Sequence, residues 1–185
     1  MADKALTLWL LRHAKAVTEP PPGGDDFDRV LAPRGRRDAA ALGHRLAGHR
    51  KGLGLTGVAL PRLALVSPAA RTSATADLVL GELARPPRRR DLEALYGAGP
   101  DDVLAVLNEL GDDVPVMVVG HNPTAHALSQ GLISPDDKAG LSLAVQRGFP
   151  TCALGVYTFG VTHWADVTAR SATLRALVVP PYEKP

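Results

Sequence analysis

The sequence of 185 residues contains a single cysteine, Cys152. One cysteine cannot form an internal disulfide, and no set of zinc ligands surrounds it in the sequence. This pattern favours a reducing compartment and argues against a structural metal. We interpret Cys152 as a small buried apolar residue within residues 151–154.

The sequence also lacks a long apolar run and a strong charge imbalance. The first apolar run, residues 7–11, is too short to cross a membrane, and Arg12 follows it directly. A small-residue cleavage site of a secretory signal is missing as well, so we expect a cytoplasmic protein with no membrane partner. The formal net charge of +2 is too small to indicate a nucleic-acid binder. There is no internal repeat, and no feature indicates an obligate partner, so we expect a monomer whose residues 1–185 form one domain.

A cationic cluster follows the first predicted strand. Residues 7–11 are continuously apolar or β-branched, which is typical of a strand buried on both faces of a parallel sheet. Arg12, His13 and Lys15 come directly after it. Ligands of open α/β sheets bind outside the carboxyl ends of the strands, so we expect chemistry at this cluster.

Two further strand ends carry positive or imidazole side chains. After a short strand at residues 63–66, Ser67 is predicted to be the N-cap and Pro68 the first residue of a helix, with Arg71 in its first turn. The most hydrophobic strand, residues 114–119, should lie centrally and ends at His121. There, residues 122–123 are predicted to begin another helix.

The remaining elements are predicted from apolar periodicity and from glycine and proline. A loop at residues 18–26 precedes a first crossover helix from Pro33 to near Gly48, and another helix runs from Pro100 to Gly111. The basic run at residues 88–90 is interpreted as a solvated loop, which could also flank an acidic substrate. Residues 134–148 are weakly patterned. A hairpin is predicted from residues 153–159 and 164–168, followed by a last strand at 173–179.

Arg12, His13, Arg71 and His121 should therefore meet at one edge of the sheet. Packing alone does not explain such a group, because unpaired positive charges repel one another and lose hydration. A dianionic ligand removes this conflict, and guanidinium groups bind phosphate oxygens with paired hydrogen bonds. The predicted chemistry is phosphoryl transfer, with one histidine as nucleophile.

These motifs resemble the histidine phosphatase superfamily, also called phosphoglycerate mutase-like. The resemblance is carried by Arg12-His13 after the first strand, by Arg71 behind a Ser-Pro helix start, and by residues 120–123, Gly-His-Asn-Pro. The compact length and the segment from Asp28 to Gly35 resemble its SixA-type phosphohistidine phosphatase branch. The resemblance implies an α/β three-layer sandwich, with a mostly parallel central sheet and helices on both faces.

The resemblance also implies a role for each site residue. His13 would be the nucleophile that forms a phosphohistidine intermediate, and Arg12, Arg71 and His121 would bind the phosphoryl oxygens. Neither a metal nor another cofactor would be required. Glu93 would be the general acid, although Asp91 and Asp101 are neighbours with the same chemistry.

The sequence departs from the superfamily pattern in two places. Ala14 stands where glycine is common, and Glu19 stands where mutase-type members have a phosphate-contacting asparagine, which disfavours mutase activity. The chain between Arg71 and His121 is largely used by predicted helices and a strand, so no large cap insertion is expected. An uncapped site would accept a phosphorylated side chain of a protein or the exposed phosphate of a small molecule.

Three functions are therefore considered. The first is a metal-independent phosphohydrolase that acts on phosphohistidine in proteins. The second keeps the mechanism but acts on a small phosphate ester. The third is a non-catalytic module that binds phosphoryl groups, against which the presence of both His13 and His121 argues.

Overall fold

The computed structural model describes residues 6–48, 53–111 and 113–182. Within them the strands are β1 (Leu6–Arg12), β2 (Leu63–Val66), β3 (Arg88–Asp91), β4 (Val116–Gly120), β5 (Leu154–Phe159) and β6 (Ala172–Val178). The helices are α1 (Pro33–Gly48), α2 (Ala70–Leu80), α3 (Pro100–Asn108), α4 (Thr124–Gly131) and α5 (Lys138–Arg147).

The strands form one mixed sheet in the order β3-β2-β4-β1-β5-β6. Its first four strands are parallel, whereas β5 runs antiparallel to β1 and β6 antiparallel to β5. Strand β4 lies between β2 and β1, as its high hydrophobicity predicted. The α/β architecture with a parallel sheet centre is confirmed.

Helices cover both faces of the sheet because each central strand is apolar on both sides. In β1, Leu8 and Leu10 pack into a core that also contains residues of α3, α4 and α5. The alternate residues Trp9 and Leu11 pack into a second core with residues of α1 and α2. The period of two along the strand thus produces three layers.

Helix α1 begins at Pro33 and ends at Gly48, as the spacing of its apolar residues predicted. Its buried face contains Ala39, Leu42 and Leu46, which lie three or four positions apart.

The structure corrects three predictions away from the sheet centre. The basic run at residues 88–90 belongs to strand β3, paired in parallel with β2, and is not a loop. Strand β5 forms its antiparallel pair with β6, whereas residues 164–166 form a 3₁₀ turn. The weakly patterned segment 134–148 contains helix α5, whose N-cap Asp137 accepts a hydrogen bond from the backbone N–H of Gly140. In each case tertiary pairing or capping outweighed a weak local pattern.

The carboxyl ends of β1, β2 and β4 lie level with one another. Arg12 of β1 is paired with Gly120 of β4, and Val66 of β2 with Val119 of β4. The backbone N–H groups of His13 and Ser67 then donate to carbonyls at the end of β4. This register places the residues that follow the three strands next to one another.

The part of the chain that the structure describes contains no helix long and apolar enough to cross a bilayer.

We predict that Gly35→Ala destabilises the protein, although alanine normally favours a helix over glycine. A Cβ at Gly35 would lie 2.1 Å from the backbone oxygen of Lys15, two residues after His13. Such overpacking costs about 1–3 kcal/mol. Denaturant unfolding measures the effect.

The matched control is Gly48→Ala at the other end of α1, where a Cβ would contact nothing within 4 Å. Its free energy of unfolding should be unchanged or raised. Equal stability of the two variants would contradict the close packing of Gly35 on Lys15.

Candidate active site

A cavity of about 330 Å³ lies beyond the carboxyl ends of β1, β2 and β4. It brings together the four residues that the sequence singled out: Arg12, His13, Arg71 and His121. The other residues that line it are Lys15, Ala16, Asp26, Arg29, Asn122 and Thr151.

His13 is held with one ring nitrogen committed to the backbone. Its Nδ1 lies 2.8 Å from the carbonyl oxygen of Ala14, and its residue is only 9% exposed. A carbonyl can only accept, so Nδ1 carries the proton and Nε2 keeps its lone pair. His13 is therefore oriented as a nucleophile.

His121 contacts a residue that sequence reasoning assigned to another role. Its Nε2 lies 2.7 Å from Oγ of Ser67, which is fully buried. The N-cap prediction for Ser67 is wrong, since α2 begins at Ala70 after the N-cap Ala69. The Ser67 hydroxyl contacts His121 and does not cap the helix. A serine directly after a buried strand was the available signal, but its partner lies 54 positions away.

The helix after His121 also begins later in the chain than predicted. Helix α4 starts at Thr124, and Asn122 accepts a hydrogen bond from the backbone N–H of His126 through its side-chain Oδ1. The amide of Asn122 lies in the cavity wall.

Arg12 is half-buried and anchored by a loop from the far end of the chain. Its Nη1 donates to the carbonyl oxygen of Phe149 at 3.0 Å. Burial lowers the pKa of this guanidinium, yet an arginine side chain stays charged in a protein. The Arg12 charge is thus permanent and fixed in position.

Arg71 is 5% exposed and is held by Asp26. Its Nη2 donates to Oδ2 of Asp26 at 2.8 Å, and its Nη1 donates to the backbone oxygen of the same residue at 2.5 Å. Asp26 was not among the sequence-predicted site residues. It lies in a 3₁₀ turn, Asp26–Asp28, which begins at the last residue of the predicted loop 18–26.

Three buried nitrogen atoms of the site have no hydrogen-bond partner among the described residues: Nε of Arg12, Nε of Arg71 and Nδ1 of His121. Buried polar groups are normally satisfied, and unpaired ones require an explanation. All three belong to residues that line the cavity. An anionic ligand in this cavity would bring oxygen acceptors to the residues that carry these nitrogens.

A buried threonine joins two of the strand ends. The backbone N–H of Ala14 donates to Oγ1 of Thr75 at 3.0 Å, and the same hydroxyl donates to the carbonyl oxygen of Arg71 at 2.6 Å. The turn that carries His13 is thereby attached to the first turns of α2. No sequence signal indicated this residue, because Thr75 lies within a predicted helix and belongs to no motif.

Glu93 lies in a second 3₁₀ turn, Glu93–Leu95, after β3. It is exposed and is not among the residues that line the cavity. Its role as general acid stays a prediction. Lys15 is exposed and lies in the cavity wall.

Both site imidazoles are neutral near pH 7. Burial is the main cause that lowers the pKa of His13 to about 3; the hydrogen bond to Ala14 opposes it, and the electrostatic effects of His121, Arg71 and Arg12 add to it. Burial, followed by the charge of Arg71, lowers the pKa of His121 to about 4. A neutral imidazole is the form that can attack an electrophile through its lone pair.

We predict that neither ring protonates between pH 5 and pH 8 in NMR titrations of the free protein, since both pKa values lie at about 3 and about 4. As the pH falls below 6.5, the unfolded chain takes up protons at these two histidines before the folded chain does. The free energy of unfolding therefore decreases progressively toward pH 4. His163 provides an internal contrast, because its hydrogen bond to Asp113 raises its pKa. A His13 or His121 titration near pH 6.5 would contradict the burial of these rings.

The chain is similar to known proteins over almost its whole length. It is 36% identical over 172 residues to an uncharacterised protein of Mycobacterium tuberculosis, which covers 92% of this chain and 99% of the relative. No protein-family model matches the sequence.

Two solved structures share both the fold and a substantial part of the sequence. One, from Nakamurella multipartitia, is provisionally assigned as the phosphohistidine phosphatase SixA, with 32% identity, a TM-score of 0.76, and coverage of 96% of this chain and 97% of that one. The other, from Agrobacterium tumefaciens and assigned in the same way, has 29% identity, a TM-score of 0.73, and coverage of 95% and 98%.

The arginine and histidine residues at three strand ends and these similarities lead to one assignment. The chain belongs to the histidine phosphatase superfamily, phosphoglycerate mutase-like, and within it to the SixA-type branch.

Proposed function

We propose that this protein is a phosphohydrolase that uses His13 as its nucleophile and removes the phosphoryl group from phosphohistidine in proteins. The observation that carries the proposal is the set of three buried, unpartnered nitrogens on Arg12, Arg71 and His121, which line the same cavity as His13 with its free Nε2. Family membership supports the reaction class, and the names of the two SixA structures support the substrate class.

The charge of the site is opposite to that of a phosphoryl group. Arg12, Arg71, Arg29 and Lys15 line the cavity with the carboxylate of Asp26, whereas both imidazoles are neutral near pH 7. A phosphoryl dianion brings two negative charges and three terminal oxygens. Its binding would neutralise the buried charges and provide acceptors for the unpartnered nitrogens.

The first step is the transfer of the phosphoryl group to His13. Nε2 forms a bond to phosphorus while the bond from phosphorus to the leaving nitrogen or oxygen breaks, and the leaving group takes up a proton. The His13 ring becomes positively charged, and its Nδ1–H already donates to the carbonyl oxygen of Ala14. This hydrogen bond strengthens as the charge develops.

The second step is hydrolysis of the His13 phosphoramidate. A water oxygen attacks phosphorus, the bond from phosphorus to Nε2 breaks, and inorganic phosphate leaves with neutral His13 restored. Two displacements at one phosphorus replace a single more difficult one. The guanidinium groups of Arg12 and Arg71 hold the transferred oxygens throughout.

Ser67 determines which proton His121 offers to the substrate. For the unpartnered Nδ1 to donate to a phosphoryl oxygen, Nε2 must accept, and Ser67 Oγ–H at 2.7 Å is its donor. We assign the Nδ1–H form to His121 on this basis. No metal ion or other cofactor enters either step.

A general acid must donate the proton that the leaving group takes up. We retain Glu93 as the proposed general acid, since it lies on the turn directly before Tyr96, whose ring packs against His121. A phosphohistidine substrate has a labile P–N bond and depends less on a strong acid than a phosphate ester does.

Access to the site favours a protein substrate. The described residues between α2 and β4 form mainly β3 and α3, which leaves no large insertion to cover the cavity. We propose that residues 1–185 form one uncapped domain that acts as a cytoplasmic monomer. A phosphorylated side chain on a protein surface could then reach His13.

One observation favours a small phosphate ester as a second candidate substrate. A cavity of about 270 Å³, lined mainly by apolar residues, shares His121 and Asn122 with the phosphoryl site. It could hold the apolar body of a small molecule whose phosphate contacts Arg12 and Arg71.

We predict that the protein releases phosphate from a phosphohistidine peptide in excess chelator, and that His13→Ala abolishes this release. Removal of the nucleophile eliminates both displacement steps, so the rate should fall by at least about 10³-fold. Phosphate release is measured directly, and rapid quenching of the wild type with ³²P-labelled peptide should trap label on His13.

The alternatives give different results in the same assay. Hydrolysis of aromatic and alkyl phosphates, with no release from the peptide, favours the small-ester candidate. Phosphate binding without turnover of any substrate favours a non-catalytic module. Undiminished activity in His13→Ala would refute the proposed mechanism.

We predict that Ser67→Ala lowers kcat about tenfold or more, since a preorganised donor to the transferring group typically contributes on this scale. The substitution removes the partner of His121 Nε2 and frees the ring to adopt the other tautomer. The ¹⁵N shifts of the His121 ring report the tautomer directly. An unchanged tautomer together with an unchanged kcat would show that Ser67 does not orient His121.

A further inference from the structure

Asp26 is the one carboxylate in the wall of the phosphoryl cavity, among the described residues, and it contacts three other side chains. Its Oδ2 accepts hydrogen bonds from Nη2 of Arg71 at 2.8 Å and from the hydroxyl of Tyr96 at 3.1 Å. Its Oδ1 accepts from Nε of Arg29 at 2.8 Å.

The contacts between Asp26 and Arg71 use the two terminal nitrogens of the guanidinium. Asp26 accepts from Nη1 through its backbone oxygen and from Nη2 through its carboxylate. Nε of Arg71 is buried and has no partner among the described residues. A guanidinium is planar, so fixing two of its nitrogens also fixes the direction of the third.

The contact with Tyr96 extends the same constraint to His121. The Tyr96 ring packs edge-on against the His121 ring, with centroids 5.5 Å apart. The Tyr96 ring also packs edge-on against Phe27, which follows Asp26 in the chain, with ring centroids 5.1 Å apart. The carboxylate therefore links Arg71 directly, and His121 through Tyr96.

The turn that carries Asp26 is itself rigidly hydrogen-bonded. Asp25 accepts from the backbone N–H of Phe27, and Asp28 accepts from the backbone N–H of Asp25. Together they form a capping box around the turn. Asp26 is thus presented to Arg71 by a locally determined backbone.

We propose that Asp26 is a positioning residue, which orients Arg71 and, through Tyr96, His121 for the phosphoryl group. This inference rests on the proposed function and adds the element that sets the geometry of its anion site. Asp26 is not the proton donor, because Arg71 and Tyr96 outweigh the effect of burial and lower the pKa of its carboxyl. A carboxylate that is ionised near pH 7 has no proton to donate.

The test compares Asp26→Ala, Asp26→Asn and Tyr96→Phe with the wild type. The dissociation constant of inorganic phosphate is measured by calorimetry, and kcat, KM and the pH profile are measured with a phosphohistidine peptide. We expect Asp26→Ala to weaken phosphate binding and raise KM about tenfold, on the scale of one lost hydrogen bond to a charged group. The pH dependence of kcat should not change.

The two other variants distinguish the contact of Asp26 with Arg71 from its contact with Tyr96. Asp26→Asn keeps the shape and one acceptor oxygen, so it should recover part of the lost affinity. Tyr96→Phe keeps the ring against His121 and removes the bond to Asp26, so a smaller loss of about threefold is expected. The double variant Asp26→Ala, Tyr96→Phe should lose less than the product of the single effects, because both act through one carboxylate oxygen.

Asp28→Ala is the matched control, since it loosens the same turn without removing a partner of Arg71. A loss equal to that of Asp26→Ala would assign the effect to the turn and overturn the proposal. Tighter phosphate binding by Asp26→Ala would show that Asp26 competes with the ligand for Arg71. A large fall in kcat with an altered pH profile and unchanged KM would show proton transfer.

The outcome for the wild type separates this inference from the proposed function. If the wild type binds phosphate and Asp26→Ala binds it equally well, the positioning role is wrong and the phosphoryl site stands. If the wild type neither binds phosphate nor turns over the peptide, both proposals fail.

Discussion

The structure depends on keeping positive charge buried at the carboxyl ends of the parallel strands. Arg71 is 5% exposed and Arg12 is half-buried, and removal of such groups from water is unfavourable unless oxygen acceptors surround them. Here the acceptors are the carbonyl of Phe149 for Arg12, and the carbonyl and carboxylate of Asp26 for Arg71. The same burial keeps the two histidines neutral, so of these four residues only the two arginines are charged near pH 7.

The backbone determines where these charges lie. Parallel strands with aligned carboxyl ends deliver Arg12, Arg71 and His121 to a common edge, and strand register sets their spacing. Close packing then prevents that spacing from relaxing: the first turn of α1 lies against the backbone of Lys15, and Thr75 ties Ala14 to α2. Chemistry at this edge therefore relies on main-chain contacts made by small side chains.

The central strands and the four cationic or imidazole residues could be predicted because each depends on local sequence. A short apolar run that ends at an arginine or histidine needs no distant partner to be interpreted. Ser67, Thr75 and Asp26 could not be found in this way, because their partners lie 54, 61 and 45 positions away. The pairing of β5 with β6 was missed for the same reason, since only the sheet determines which of two short segments becomes its edge strand.

The antiparallel strand β5 also contributes to the site at the carboxyl ends of the parallel strands. Because β5 runs opposite to β1, its amino end lies beside the carboxyl end of β1, where the site is. The loop before β5 is thereby brought to the site: Cys152 N–H donates to the carbonyl of His13, and Phe149 accepts from Arg12. A parallel strand in this position would have placed its carboxyl end there instead, and with it another helix start. Reversal of one strand thus brings to the site a loop whose Phe149 carbonyl accepts a hydrogen bond from the half-buried Arg12.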